Sequence, residues 1–91
     1  MRQCLTAFFS GRVQGVGFRY IVKQLAHGFE VTGAVKNMAD GRVRLDAEGE
    51  FEELSAFLRA IRDSEIGVFI KQVDESRAEA TGQFRGFEIV R

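Results

Sequence analysis

The chain has 91 residues, 45% of them hydrophobic, and its 13 basic side chains balance its 13 acidic ones. This length and apolar content suffice for one domain with a single packed core that needs no metal ion or disulfide to hold it together. A neutral chain lacks the broad positive field of a nucleic-acid-binding protein, so any recognition of anions must be local. Cys4 is the only cysteine, which suits a reducing compartment, and no segment approaches the apolar length of a membrane span. We therefore expect a cytoplasmic monomer that binds neither nucleic acid nor membranes.

The first predicted element is a strand over residues 3–10, a segment rich in apolar and aromatic side chains that stops at Gly11. Residues 11–19 then read Gly-Arg-Val-Gln-Gly-Val-Gly-Phe-Arg, a glycine-rich loop that leads into a helix. Glycine allows successive backbone N–H groups to turn inward and form a concave anion site, to which a helix N-terminus adds partial positive charge. Arg19 lies in the first turn of that helix, where a planar guanidinium matches phosphate or carboxylate oxygens. The loop predicts a small oxyanion site, with phosphate as the favoured ligand.

Two segments carry the helical period of apolar residues. In the first segment the apolar stripe consists of Phe18, Ile21, Val22, Leu25, Ala26 and Phe29. In the second segment it consists of Phe51, Leu54, Phe57, Leu58 and Ile61. His27 and Gly28 supply a stop signal near the end of the first stripe, and the glutamate cluster of Glu48, Glu50, Glu52 and Glu53 is expected to start the second helix. These patterns predict two helices.

The extended segments predict the strands. Between the helices, apolar and polar residues alternate on either side of a turn at residues 39–41, which indicates a hairpin with one buried and one wet face. Residues 68–78 and 87–90 read as a fourth strand and a short terminal one. Ile70 and Val73 differ in parity, so the fourth strand should bulge or turn one of them outward. The order β-α-β-β-α-β with a small extra strand predicts an α+β fold, a ferredoxin-like two-layer sandwich with two helices on one face of an antiparallel sheet.

Three segments resemble those of the acylphosphatase family. Residues 11–19 resemble the family's signature loop, residues 33–43 (Gly-Ala-Val-Lys-Asn-Met-Ala-Asp-Gly-Arg-Val) its second signature, and residues 86–89 its terminal strand. Because the likeness covers nearly the whole chain in the right order, residues 1–91 are expected to form a single acylphosphatase-like domain. The resemblance implies an enzyme that hydrolyses the carboxyl–phosphate bond of small acyl phosphates with no metal ion or other cofactor. Inorganic phosphate is expected to act as a product inhibitor.

The resemblance also implies roles for individual residues. Arg19 matches the family's phosphate-binding arginine, and Asn37 matches the asparagine that positions the attacking water. The phosphate-binding set implied by the loop is Gln14, Gly15, Val16, Gly17, Phe18 and Arg19. The chemistry agrees, because an acyl phosphate is already activated and the protein has only to hold the phosphate, neutralise its charge and place one water in line. An amide suits water placement because it donates and accepts hydrogen bonds and does not titrate near neutral pH.

Two positions depart from the family pattern. Gly17 stands where many members carry a larger residue, which predicts a more mobile loop. Ala34 stands where an aromatic residue is common, which leaves the preference for the acyl group open.

Judged without the family pattern, the glycine loop also fits a tight strand-to-helix connection and Asn37 a turn former. His27, the only histidine, is expected to cap a helix and cannot by itself build a metal site.

The residues leave two other classes of function open. One is a module that binds phosphate or carbamoyl phosphate without turnover, since related domains occur inside larger maturation enzymes that handle carbamoyl phosphate. The length of the chain argues against a fragment of such an enzyme, but not against a binding role. The other is an RNA-binding sheet, which needs exposed aromatics on its central strands and a basic face. The predicted third strand instead exposes a mixed-charge surface, so RNA binding ranks last; the residues of that surface are Arg42, Arg44, Asp46 and Glu48.

Overall fold

Five strands and two α-helices follow one another in the computed structural model, which describes residues 1–91. In chain order they are β1 (Arg2–Gly11), α1 (Phe18–Ala26), β2 (Thr32–Asn37), β3 (Val43–Glu50), α2 (Phe51–Asp63), β4 (Ile70–Glu79) and β5 (Phe87–Val90). A 3-10 helix (Glu65–Phe69) stands between α2 and β4. No helix is long and apolar enough to cross a membrane. The order confirms the predicted β-α-β-β-α-β arrangement with its extra terminal strand.

The strands form one sheet in the order β4-β1-β3-β2-β5. β1 is antiparallel to both β3 and β4, and β2 is antiparallel to β3, as in the predicted ferredoxin-like sandwich. β5 refines the prediction, because it runs parallel to β2 and makes the sheet mixed. Since β4 and β5 lie at opposite edges, the chain has to cross the sheet between them, and it does so in residues 80–86.

One face of the sheet and the apolar stripes of both helices enclose the core. The fully buried strand residues include Leu5, Ala7 and Phe9 of β1 and Val43, Leu45 and Ala47 of β3. The helices contribute Phe18, Val22 and Ala26 from α1 and Leu54, Phe57, Leu58 and Ile61 from α2. Phe18 packs on Phe9 with ring centroids 5.1 Å apart, and burying one such ring stabilises the fold by about 1.5–3 kcal/mol. This contact fixes the first residue of α1 on the sheet, directly before Arg19.

β4 carries the predicted bulge. The register between β1 and β4 shifts between Ser10 and Gly11, so β4 holds one extra residue at this point. As a result Ile70 and Val73 both pack against the core although they differ in parity. β4 begins at Ile70, two residues later than predicted, because the 3-10 helix occupies the preceding positions.

One prediction from the sequence, the exposure of Glu48, is wrong. The alternating pattern of the third strand placed this side chain on a wet face, but it is fully buried. Its Oε2 atom accepts hydrogen bonds from the N–H and the hydroxyl of Thr81 at 2.9 and 3.0 Å, and its Oε1 atom accepts one from the N–H of Gly82 at 2.9 Å. The reason is that residues 80–86 cross the sheet on this side and cover the carboxylate.

The stability of the fold should depend on the ionisation of Glu48. The N–H of Thr81 is the main cause that lowers the pKa of Glu48 from its usual 4.5, because hydrogen bonds to the ionised form favour it. The stabilisation is therefore fully present above pH 4.5 and is lost as the pH falls through the lower folded-state pKa. We expect the free energy of unfolding, measured by urea titration at successive pH values, to fall in acid, and to fall less in Glu48→Gln. An equal acid response of both proteins would contradict this assignment.

Candidate active site

The loop between β1 and α1 presents backbone N–H groups that have no acceptor in the protein. Gly15 and Gly17 have φ values of +78° and +79°, a left-handed conformation that costs other residues about 1–2 kcal/mol. The N–H groups of Gly15, Val16 and Gly17 donate to no backbone carbonyl, and the first N–H groups of any α-helix lack an intrahelical partner. No side chain caps α1, and its first turn holds no acidic residue. The start of α1 is therefore an open site for an anion.

A cleft of about 180 Å³ lies at this loop. Its lining consists of Val13, Gly15, Gly17, Phe18, Arg19, Tyr20, Asn37 and Ile89. The volume is smaller than the roughly 300–1,000 Å³ of pockets that take drug-sized ligands, so the cleft fits a small anion better than a nucleotide. The cleft thus joins the glycine loop, the first turn of α1, the end of β2 and one residue of β5.

Arg19 enters the cleft without a carboxylate partner. None of the ion pairs in the protein includes its guanidinium. Its one hydrogen bond runs from Nη1 to the carbonyl oxygen of Val90 over 3.5 Å, which is long for such a bond. An unpaired, half-buried guanidinium beside free N–H groups suits a doubly charged oxyanion, because it offers two parallel donors.

Asn37 faces the same cleft from the last position of β2. Its side-chain oxygen Oδ1 is buried and has no hydrogen-bond partner. A buried acceptor without a partner costs about 1–3 kcal/mol, and such an atom in a folded protein calls for a donor from a ligand or a water molecule. Asn37 is the last residue of β2 and pairs with Val43 across the hairpin, so it lies outside the turn. This position argues against the alternative that Asn37 only helps to form the turn.

Gln14 ties the glycine loop to the β2–β3 hairpin. Its Nε2 atom donates to the carbonyl oxygens of Met38 at 2.8 Å and Arg42 at 3.0 Å, on either side of the turn. The turn is fixed in addition by Asp40, which accepts from the N–H of Arg42 at 3.1 Å, and this bond is the main cause that lowers the pKa of Asp40. Gln14 thereby links the loop to the turn that directly follows Asn37.

The structure brings most of the predicted site residues together. Gly15, Gly17, Phe18 and Arg19 line the cleft with Asn37. Two predicted phosphate-binding residues lie beside the cleft instead, because the Gln14 side chain turns to the hairpin and Val16 packs against the core. Phosphate binding by any of these residues stays a prediction.

The sequence interpretation missed Val13, Tyr20 and Ile89. Val13 lies within the predicted loop and Tyr20 directly follows it, and that position was the signal that could have found them. Ile89 lies 70 positions along the chain from Arg19. Only the parallel pairing of β5 with β2 brings it to the cleft, and no local pattern shows that pairing.

Neither His27 nor any cluster of ligating side chains forms a metal centre in this structure. His27 is the C-cap residue of α1, as predicted, and its N–H donates to the carbonyl of Gln24 at 3.3 Å. No group of three or more histidine, cysteine, aspartate or glutamate side chains is arranged to hold a metal ion.

Replacing Gly17 with alanine is expected to destabilise the fold by about 1–2 kcal/mol, because φ is +79° there although no atom would touch the added Cβ within 4 Å. Gly28→Ala is the matched control, since Gly28 lacks a positive φ and the added Cβ would meet only the Leu25 carbonyl at 3.5 Å. Urea denaturation of both variants measures the difference. If Gly17→Ala were as stable as the parent protein, the left-handed conformation would not be required.

The fold and the cleft define the chain as a small α+β protein, a ferredoxin-like sandwich with an open cleft at the start of its first helix. The acylphosphatase family model matches residues 5–89. The acylphosphatase of Salinibacter ruber is 38% identical over 87 residues, which cover 96% of this chain and 92% of that protein. The crystal structure of acylphosphatase from Bacillus subtilis superposes with a TM-score of 0.89 at 34% identity over the full length of both chains. The chain therefore belongs to the acylphosphatase family, and this membership supports hydrolysis of acyl phosphates as its activity.

A larger protein contains a similar unit. Full-length HypF, crystallised in a phosphate- and nucleotide-bound form, matches all of this chain with a TM-score of 0.89 at 29% identity. The match covers 12% of HypF. The same architecture thus occurs as a small protein and as part of a long one.

Proposed function

We propose that the chain hydrolyses the carboxyl–phosphate bond of small acyl phosphates, with the phosphate held by the loop N–H groups and Arg19 and the attacking water positioned by Asn37. One observation carries the proposal: an unpaired guanidinium, free loop N–H groups and a buried carboxamide oxygen without a partner all line one cleft of about 180 Å³. The guanidinium and the N–H groups lack an anionic acceptor, which a bound phosphate would supply. The carboxamide oxygen lacks a hydrogen-bond donor, which a water molecule would supply.

The proposed reaction is a single in-line displacement at phosphorus. The oxygen of the water forms a bond to phosphorus while the bond from phosphorus to the carboxyl oxygen breaks, and the carboxylate leaves with the electron pair. One proton of the water passes to a phosphate oxygen and the other stays on the attacking oxygen, so the products are a carboxylate and dihydrogen phosphate. A carboxylate is a stable leaving group at neutral pH, since such acids have pKa values near 4, and the step needs no general acid.

Arg19 is proposed to supply the positive charge of this reaction. Charge in such a transition state spreads over the equatorial phosphate oxygens, and fixed donors aimed at those oxygens lower the barrier. A guanidinium and several backbone N–H groups around one point provide such donors without moving during the reaction. The side chains of the protein offer no metal cluster beside them. We propose a mechanism that uses neither a metal ion nor an organic cofactor, because the activated substrate needs only charge neutralisation and one placed water.

The test is the loss of acetyl phosphate in the presence of purified protein and EDTA. We expect turnover, with inorganic phosphate as a competitive inhibitor because it occupies the same cleft. Loss of activity on addition of the chelator would contradict the metal-free mechanism. The active form is proposed to be a cytoplasmic monomer, and a lone cysteine, Cys4, suits that reducing compartment.

A second candidate function is a module that binds a phosphate group without turnover. The match of the whole chain to a part of HypF, whose structure holds phosphate, favours it. Calorimetry with inorganic phosphate separates the two candidates, since saturable binding without loss of acetyl phosphate would select the module.

Recognition of RNA receives no support from the open face of the sheet. Phe8 lies half-buried beneath the guanidinium groups of Arg42 and Arg44, which stand 4.3 and 5.5 Å from its ring centroid. Each of these arginines is paired with a carboxylate, Asp40 or Asp46. The aromatic ring and the charges are therefore already partnered within the protein.

A further inference from the structure

Residues 80–86, named the crossover segment, connect β4 at one edge of the sheet to β5 at the other. The segment has no regular secondary structure of its own. β5, which follows it, has four residues, and its only strand partner is β2. A short strand of this kind frays unless other contacts hold it. Phe87 and Ile89 of β5 pack against the core, so the part of this connection that needs contacts of its own is the crossover segment.

Glu48 of β3 fixes the start of the crossover segment. Its buried carboxylate accepts three hydrogen bonds, two from Thr81 and one from Gly82, over 2.9 to 3.0 Å. Bonds to an ionised acceptor are roughly twice as strong as neutral ones. Cys4 of β1 and Thr32 of β2 stand opposite Glu48 in the sheet. These three hydrogen bonds, named the latch, do most to lower the pKa of Glu48, and the charge of Arg2 adds a smaller contribution.

The far end of the crossover segment leads into β5, and β5 borders the cleft. The carbonyl of Gly86 accepts a hydrogen bond of 2.7 Å from the N–H of Gly33, and from this point β5 pairs with β2. Two residues of β5 then reach the site. Ile89 lines the cleft, and the carbonyl oxygen of Val90 accepts the hydrogen bond from Arg19.

We propose that Glu48 is a positioning residue for the anion cleft. By holding the crossover segment across the sheet, Glu48 keeps β5 against β2 and so keeps Ile89 and Val90 beside Arg19. Glu48 contributes no atom to the cleft, and its effect on the ligand passes through the backbone of residues 81–90. The inference rests on the proposed function for its ligand, which is a phosphate group.

The test compares Glu48→Gln with the parent protein at a temperature where both are fully folded. A glutamine amide keeps the shape of the side chain, but its NH₂ group would face an N–H donor, so the latch weakens. We expect the Kd for inorganic phosphate and the KM for acetyl phosphate to rise about tenfold, while kcat changes by less than about threefold. We also expect the amides of residues 87–90 to lose protection from hydrogen exchange.

Two further variants keep the test decisive. Thr81→Val removes one of the three donors and leaves the two backbone N–H groups, so it should shift KM in the same direction by a smaller factor. Ile61→Val trims a buried methylene of α2 at a residue that does not line the cleft, and should lower stability without changing KM. This control separates positioning of the cleft from general destabilisation.

The proposal is overturned if folded Glu48→Gln retains the parent values of KM and Kd, or if exchange at residues 87–90 is unchanged. If the parent protein neither binds phosphate nor turns over acetyl phosphate, the proposed function fails instead. The exchange measurement is independent of any ligand, so it still decides whether Glu48 holds β5.

Discussion

Replacing Arg19 with alanine is expected to lower kcat/KM for acetyl phosphate by a factor on the order of 100 to 1,000, or about 3–4 kcal/mol of transition-state stabilisation. The reason is that Arg19 is the only cationic side chain that lines the cleft, and it has no carboxylate partner. Arg19→Lys keeps the charge but loses the planar pair of donors, so its activity should lie between those of the parent and the alanine variant. Initial rates and phosphate binding by calorimetry measure both effects.

The control for Arg19 is Arg12, which lies in the loop before α1. Arg12 is an exposed cation that does not line the cleft, so Arg12→Ala changes the net charge equally and should alter kcat/KM by less than about threefold. The thermal midpoint of Arg19→Ala should stay close to that of the parent, because the guanidinium makes only one long hydrogen bond. Equal losses of activity in the two alanine variants would mean that the general field around the loop, and not the position of Arg19, assists the reaction.

Replacing Asn37 with alanine is expected to lower kcat by a factor on the order of 100, with a change of only a few-fold in the Kd for inorganic phosphate. This split follows because Asn37 is proposed to hold the water and not the phosphate. Folding stability should not fall, since the side-chain oxygen that is removed is buried without a partner in the unliganded protein. Steady-state kinetics, phosphate calorimetry and thermal denaturation of one preparation provide the three readouts.

Thr32 offers a matched control on the same strand. Its hydroxyl oxygen is also buried without a hydrogen-bond partner, but it stands at the other end of β2 and does not line the cleft. Thr32→Val should therefore leave kcat unchanged and keep or raise stability. If Asn37→Ala weakened phosphate binding as strongly as it lowered kcat, Asn37 would have to be reassigned as a phosphate ligand.

The parts of the site that the sequence predicted are those set by short-range rules. The glycines of residues 11–19 allow the positive φ values of the loop, and the apolar stripe that begins at Phe18 places Arg19 in the first turn of a helix. The alternating hairpin places Asn37 at the end of a strand. Each of these features depends on neighbours within a few positions, so the local pattern was sufficient.

The features that the sequence did not predict depend on contacts between distant segments. A glutamate in an alternating strand is exposed by default, and Glu48 is buried only because residues 80–86 pass over it. Ile89 reaches the cleft only because β5 pairs with β2 on the far side of the sheet. Neither the path of a connection without regular structure nor the partner of a four-residue strand leaves a periodic signal in the amino-acid sequence.

The nearness of Val90 to Arg19 has a practical consequence for handling the protein. A purification tag or fusion partner attached after Arg91 would begin one residue from the carbonyl that lies 3.5 Å from the Arg19 guanidinium. Its first residues would occupy space at the entrance of the cleft, and any carboxylates among them would lie close to Arg19. The α-amino group of Met1, in contrast, pairs with Glu50 at the junction of β3 and α2. An amino-terminal tag would remove only this exposed ion pair, which contributes little, so kinetic measurements should use amino-terminal tags or protein from which every tag has been cleaved.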